Sequence, residues 1–535
     1  MGLCHNEGHC AVLLSNRPVI EAEVHQRLRA FLREQGEPYW PHHLTMARLV
    51  ARALRLGRSA LIQAGSSSAY HGRYRLSYLM PVLLWPEPVV LVLPETMRQR
   101  VLMVEIPRLR QWMPILKPVH VSDHWPDPEF KGLLLTSPQA WLADRLTTQS
   151  RFPDGVPTLL DGVDDLEAWV RKQLTAEIGG LDWDTLMLAY PGHQNLIRDI
   201  RVKLTRAVFQ HPTNPYNCHL VDGPEQQTLS DLYEGLQSDD SGLILANSGM
   251  PEQWRQFWRC FHQAEKLIWA TIARRQGQFS LHCGPIEIAS TLSQIWPQQP
   301  LVLIGAAIDQ EVKAPVYRQR LGLGDLTCLK FSLDRQQEVI QLYLPDHLPM
   351  PNTSEFQAAL MQEIHALLTA GAPIQGPTVV VVGDMPLKAQ VGSMLAAEFG
   401  SRVQVEKTCP DDNGILVTGW EFWRDHQGVF PAPQLLIIAT LPIPSLENPL
   451  VASRVAHYKR RRQDWFRLYL LPEALSELQR AIAPVRNAQG IVALLDNRVN
   501  YRSYGRQILS ALSPAARTNY IDVNWFNDSQ CKVLD

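Results

Sequence analysis

Strand-length apolar runs, each ending in a loop and followed by a helical pattern, recur along this chain in two separate series. In the first, Ala60-Leu61-Ile62-Gln63 runs into the small-residue loop Ala64-Gly65-Ser66-Ser67-Ser68 and then a helical pattern around Leu76 to Leu84. Val89 to Leu93, Gly132 to Leu135, Thr158 to Asp161 and, much later, Leu301 to Ile304 continue it. The second series comprises Thr378 to Val382, Gly414 to Val417, Leu435 to Ala439 and Gly490 to Leu495, again with helices between. Alternation of this kind predicts doubly wound parallel sheets, whose sites lie in the loops outside the carboxyl ends of the strands. A chain of 535 residues is also too long for one ordinary core.

Two amphipathic helices open the fold, with Val24, Leu28, Phe31 and Leu32 on one face of the first and Leu44, Leu49, Ala53 and Leu56 on the second. From Leu166 to about Gly277 the strand signal fades, and a segment containing Trp169, Trp183, Trp254, Trp258 and Trp269 reads as a helical insertion. The Pro-rich passage from Leu344 to Pro351 marks the expected boundary between the two series. The expected division is a tail over 1–20, a first domain over 21–165 completed by 278–312, the insertion over 166–277, a second domain over 313–515 and a tail over 516–535.

Lys and Arg number 51 against 53 acidic residues, so no global positive field attracts nucleic acid, and any such binding needs a local groove. Apolar runs such as Val89 to Leu93 and Leu435 to Ile438 are far shorter than a membrane span, so no membrane partner is expected. The start of the chain lacks the pattern of a secretory signal, which gives a cytoplasmic expectation. Eight scattered cysteines without a CxxC argue against a disulfide frame or a ribbon-type zinc site. Cys4, His5, His9 and Cys10 could meet a soft metal, but their spacing matches no common zinc module, and a disordered terminus is the simpler reading.

The most specific segments lie in the second series: Thr418-Gly419-Trp420-Glu421-Phe422-Trp423, then Pro433 to Ile438, Leu441-Pro442-Ile443-Pro444 and Asn448-Pro449-Leu450. Tyr469-Leu470-Leu471-Pro472-Glu473-Ala474, Leu494 to Arg498 and Tyr504-Gly505 follow in order. This succession resembles the DinG/XPD-type superfamily 2 DNA helicases, and the first series agrees: Tyr39 to Met46 is similar to the family's adenine-side motif, with His43 where Gln is expected. Ala64-Gly65 begins a loop similar to Walker A, Asp161 to Asp164 stands at the DEAH box, and Gly305 to Ile308 stands at the family's "SAT" motif. The resemblance implies two RecA-like (P-loop NTPase) parallel-sheet motor domains with an insertion in the first, ATP with Mg²⁺ as cofactor, and single-stranded DNA or another nucleic acid as partner.

By the same resemblance the catalytic set is degraded. Phosphoryl transfer in this class uses a loop of backbone amides, a Lys, an Asp for the metal, a water-orienting Glu and arginine fingers. Here Tyr70 or Tyr74, depending on register, replaces the Lys, Gly162 replaces the Glu, and Ala483 replaces the first finger. The expected nucleotide-binding remnant is Tyr39, His43, Gly65, Ser66, Asp161 (the Mg²⁺ ligand), Gln479 and Arg486. A different alignment would let Arg73 act for the Lys and Asp165 or Glu167 for the Glu. The four cysteines that hold an iron–sulfur cluster in many relatives have no counterpart between Cys10 and Cys218, so no cluster is expected. For nucleic acid the expected surface is Lys459, Arg460, Arg461 and Arg462 with Trp465, and the arginines at 98, 100, 108 and 110 are further candidates. The leading expectation is a nucleic-acid-binding pseudo-helicase. Its rivals are an active DNA helicase with an unorthodox site, and a protein-interaction scaffold that contacts an unidentified partner through the Trp-rich insertion.

Overall fold

The computed structural model describes residues 19–527, apart from 37, 67–69, 71, 115–116, 148–149, 238–248, 334–337, 373–375, 412 and 523. The cluster at Cys4 to Cys10 lies outside the described residues, as do Ser67, Ser68, Ala69 and His71.

In chain order the first domain contributes β1 (Ala60–Gln63), β2 (Val89–Val92), β3 (Val119–Val121), β4 (Leu133–Thr136) and β5 (Thr158–Asp161). The insertion carries β6 (Ala176–Ile178), β7 (Cys218–Leu220), β8 (Lys266–Ala273) and β9 (Gln278–Pro285), after which β10 (Leu301–Gly305) and β11 (Thr327–Lys330) return to the first sheet. The second domain holds β12 (Ile340–Tyr343), β13 (Thr378–Val381), β14 (Val403–Val405), β15 (Ile415–Thr418), β16 (Leu435–Ile438), β17 (Ile491–Leu494) and β18 (Ala515–Thr518).

Two seven-stranded sheets result, in the orders β11-β1-β10-β5-β2-β4-β3 and β14-β15-β13-β16-β17-β12-β18. Every pairing in both is parallel. The central strands are buried along their whole length because helices cover both faces, which is why they read as unbroken apolar runs. The expected pair of RecA-like α/β domains is therefore present. In the first sheet β10 lies between β1 and β5, so the loops after all three open at one edge.

Three expectations need correction. The insertion contains helices, including Gln194–Gln210 and Glu252–Phe261, but also a four-stranded antiparallel sheet ordered β6-β9-β8-β7. Its long strands alternate buried and half-buried positions over most of their length and meet at Gly277, whose positive φ closes the hairpin. Its tryptophans form a core: Trp183, Trp254 and Trp258 are buried against one another, so they offer no contact surface. Second, β11 belongs to the first sheet and β12 to the second, which puts the crossing between Lys330 and Ile340 rather than near 312 or in the Pro-rich passage. That passage is a loop after β12, and the Asn497 amide donates to its Asp346 and Leu348 carbonyls. Third, the expected tail from 516 on starts inside the second domain, since β18 pairs with β12 and Phe526 packs into the second core. Among the described residues no helix is long and apolar enough to cross a membrane.

Candidate nucleotide site

The loop after β1 leads into the helix Arg75–Leu84, nearly all of whose residues are buried between the sheet and the helix His43–Leu56. Gly65 and Gly72 in this loop have positive φ. A Cβ at Gly72 would collide with the Arg75 guanidinium, so the glycine lets Arg75 fold back beneath the loop. Tyr74 and Tyr78 are one helical turn apart and face the same way, toward the end of β5. There the Tyr74 hydroxyl donates to Asp161 Oδ1 at 2.5 Å and the Tyr78 hydroxyl to Oδ2 at 2.8 Å. The Gly162 N–H donates to Oδ1 at 2.9 Å, and Arg75 Nε stands 3.6 Å from Oδ2 and reaches Glu105 at 3.3 Å on its far side. Asp161 has no exposed surface.

Burial raises the Asp161 carboxyl above its ordinary range, against the opposing pull of Arg75 and of the hydroxyls of Tyr74 and Tyr78. Both tyrosines are themselves held well above the usual phenol range, first by burial and then by Asp161. Mg²⁺ requires carboxylate oxygen within a nearly octahedral shell that usually keeps several waters. Here both carboxylate oxygens are taken by protein donors in a dry setting, so Mg²⁺ with a nucleotide does not fit this arrangement. Tyr74, one of the tyrosines expected in place of the Lys, fills the site. Tyr78 and Glu105 were not anticipated, although tyrosines spaced i, i+4 after the loop are a readable sign of one shared target.

The position expected to have lost the Glu has an unusual backbone. Gly162 adopts φ 81° and ψ 29°, a left-handed conformation disfavoured for a residue with a side chain. Asp164 accepts from the backbone N–H groups of Ala306 at 2.8 Å and Ala307 at 2.7 Å, tying the loop after β5 to the loop after β10. Gly305 is needed for this approach, because a Cβ there would lie 2.8 Å from Asp164 Oδ2.

The substitutes considered for the missing groups are engaged elsewhere. Asp165 forms a two-pronged ion pair with Arg480 of the second domain, at 2.7 and 3.2 Å. Glu167 binds Arg171 at 2.9 Å and Arg320 at 2.5 Å, and Arg320 also reaches Glu473 across the domain boundary. Arg73 donates to Asn487, and the Tyr70 hydroxyl donates to the Gln427 carbonyl at 3.2 Å, both in the second domain. Side chains thus bridge the cleft directly.

On the adenine side, Tyr39 is exposed, whereas His43 is buried with one ring nitrogen 2.8 Å from Ser77 Oγ and the other 3.0 Å from the Pro38 carbonyl. Burial lowers its pKa to about 4. With both nitrogens occupied, His43 offers no edge to a base, which corrects its assignment as a binding remnant. Gly65 and the buried Ser66 lie in the loop just after β1. Gln479 turns onto its own domain, donating to the Ala511 carbonyl at 3.4 Å, and Ala483 is buried.

Arg486 requires the clearest correction. It is fully buried, and its guanidinium donates to the carbonyls of Glu338 (2.8 Å), Pro514 (2.9 Å), Ser513 (3.1 Å) and Leu512. It clamps the approach to β12 and β18 rather than serving as a finger, and burial lowers its pKa to about 10. The arginine of this region that faces the first domain is Arg480.

The basic run closes the helix Pro449–Arg460. Lys459, Arg460, Arg461 and Arg462 are exposed, and the Lys459 ammonium lies 5.1 Å from the centre of the Trp465 ring. Arg461 is drawn out of the run by ion pairs with Glu287 at 2.8 Å and Glu265 at 3.4 Å.

Comparison with known proteins agrees with this architecture. Residues 431–515 match the helicase C-terminal domain family. The chain is 24% identical over 260 residues to the ATP-dependent DNA helicase YoaA of Escherichia coli, covering 45% of this chain and 40% of YoaA. It is 30% identical over 287 residues to the 3'-5' exonuclease DinG of Bacillus subtilis, covering 48% of this chain and 30% of DinG. The chain thus spans less than half the length of these relatives. Its fold is similar to apo XPD (TM-score 0.58, 12% identity, 89% of this chain and 100% of that one). It is equally similar to S. tokodaii Xpd4 (TM-score 0.57, 12% identity, 90% of this chain and 100% of that one). The paired parallel sheets, the helicase C-terminal segment and these relatives all support the resemblance to the DinG/XPD-type superfamily 2 helicases.

Proposed function

We propose that this chain is a nucleic-acid-binding member of the family that does not hydrolyse ATP and whose motor domains are held together by side chains instead of a nucleotide. The observation that carries this reading is the Asp161 carboxylate, buried and saturated by Tyr74, Tyr78, Arg75 and the Gly162 amide. In P-loop NTPases an aspartate at this place helps to hold Mg²⁺, and loss of an arginine finger alone costs roughly 10³- to 10⁵-fold in rate. With the Lys and Glu positions also replaced, no useful turnover remains. A cytoplasmic setting belongs to the same reading.

Nucleic-acid binding is supported by two relatives, of Escherichia coli and Haemophilus influenzae, each described as an ATP-dependent DNA helicase. On this chain the supporting surface is Lys459, Arg460 and Arg462 beside Trp465, cations next to a ring on which a base can stack. The scaffold reading loses its basis with the burial of Trp183, Trp254 and Trp258.

The test is fluorescence anisotropy with a labelled single-stranded oligonucleotide, with and without ATP and Mg²⁺, across a salt series. The reading expects salt-sensitive binding that ATP leaves unchanged, and a shallower salt slope when Lys459, Arg460 and Arg462 become Gln. Tightening or weakening by ATP of about tenfold, the span of an ordinary allosteric coupling, contradicts it.

A further inference from the structure

A pocket of about 50 Å³ lies where the two motor domains and the insertion meet. Its walls come from the helices Leu166–Leu174 and Pro315–Leu321 of the first domain, the segment after β9, and the helix Pro449–Arg460 with Tyr469 of the second. Four arginines line it, Arg171, Arg320, Arg454 and Arg461, against two carboxylates, Glu167 and Glu287.

Both carboxylates are already committed. Glu167 takes Arg171 and Arg320, and Glu287 takes Arg461. Arg171 Nη1 also donates to the carbonyls of Pro285 at 3.2 Å and Ile286 at 3.0 Å, which fixes the plane of its guanidinium. Arg454 is only partly engaged: its Nη1 donates to Tyr469 Oη at 3.3 Å, its guanidinium carbon lies 6.0 Å from the centre of the Tyr469 ring and its charge acts on Glu167, while its buried Nε has no partner among the described residues. Burial, and after it the positive charge of Arg454, pulls Arg171 below the ordinary arginine range, whereas, against burial, Glu167 and Glu473 raise Arg320 beside it.

We propose that this pocket binds a compact oxyanion of the phosphate type, held chiefly by Arg454 and Arg171. The forked N–H groups of guanidinium match phosphate oxygens two at a time, and such charge-assisted bonds are the strong ones. The volume exceeds the roughly 10–15 Å³ that admits one water, which leaves room for a small polyatomic anion. A cation is the poorer fit. Glu265, Glu287 and His457 do bring ligand atoms within 4.8 Å of one another at the rim, but Arg461 already pairs with both carboxylates. This site is separate from Asp161 and does not rest on the loss of hydrolysis.

The test is calorimetric titration of the full chain with sodium phosphate, against sodium chloride at matched ionic strength. Saturable phosphate binding is expected, weakened at least about tenfold by Arg454→Gln and less by Arg454→Lys, which keeps the charge but loses the fork. Arg506→Gln, an exposed arginine elsewhere on the second domain, should leave it unchanged. Oligonucleotides with a 5′-phosphate or a 5′-hydroxyl then separate the sources. Preference for the phosphorylated end, competed by inorganic phosphate, assigns the ligand to a nucleic-acid terminus, whereas phosphate binding without that preference assigns it to free phosphate. No saturable binding to the wild-type chain at matched ionic strength overturns the proposal. So does a folded Arg454→Gln variant of undiminished affinity, and because the wild-type titration stands alone, the test survives a variant that fails to fold.

Discussion

Tyr74 and Tyr78 grip the two oxygens of one carboxylate, that of Asp161, from a single helix face. Removing either hydroxyl leaves a buried carboxylate oxygen short of a donor, which costs about 1–3 kcal/mol. Tyr78→Phe should therefore lower stability by that amount. Arg75→Met should cost more, about 3–5 kcal/mol, because it strips the counter-charge from a buried acid. Urea unfolding followed at the first domain's transition checks both, and unchanged midpoints would show that the cluster is not held as described.

Restoring the family's glutamate should not restore chemistry. Gly162→Glu places a side chain on a backbone with φ 81°, at a cost of about 1–3 kcal/mol. The variant should be less stable and no more active than the wild type, as measured by urea unfolding and phosphate release. A gain of turnover would show that the glycine alone silences the site.

Asp165 and Arg480 should hold the domains together without nucleotide. Both are partly exposed, so a double-mutant cycle with Asp165→Asn and Arg480→Gln is expected to give a coupling of about 1 kcal/mol or less. The more direct check is small-angle scattering. The double variant should expand or become heterogeneous, while the wild type should keep one compact profile with or without ATP.

His43 gives a pH signature. Its folded pKa of about 4 lies below the value of 6.5 expected when unfolded, so the folded state takes up its proton later. Its contribution is intact above pH 6.5 and is lost as pH falls toward 4, to a total of roughly 3 kcal/mol. His43→Gln should flatten the acid limb of a stability–pH curve in that window. An unchanged slope would mean that His43 is already protonated in the fold.

How much of this was legible in the sequence depended on what each residue packs against. The central strands declared themselves because both faces are covered, whereas β3, β11 and β14 stand at or next to sheet edges with partly exposed residues and left no apolar run. The antiparallel strands β8 and β9 were hidden among tryptophans that belong to the insertion's own core. At the site, the order of the segments was enough to put Asp161 and Gly162 at the end of β5. The direction in which a long side chain turns was not: Arg486 points inward to four carbonyls, while Arg480, six residues earlier, reaches the first domain. Spacing along a helix cannot distinguish these fates until the neighbouring domain is in place.

On the proposed reading, the grip of Tyr74, Tyr78 and Arg75 on Asp161 has replaced nucleotide chemistry. Steady-state phosphate release from ATP, with Mg²⁺ and saturating single-stranded DNA, tests it most directly when the wild type is compared with Asp161→Asn. No release above background is expected from either protein. Release by the wild type at the rate of about 1 s⁻¹ or more typical of enzymes, abolished in Asp161→Asn, would contradict it.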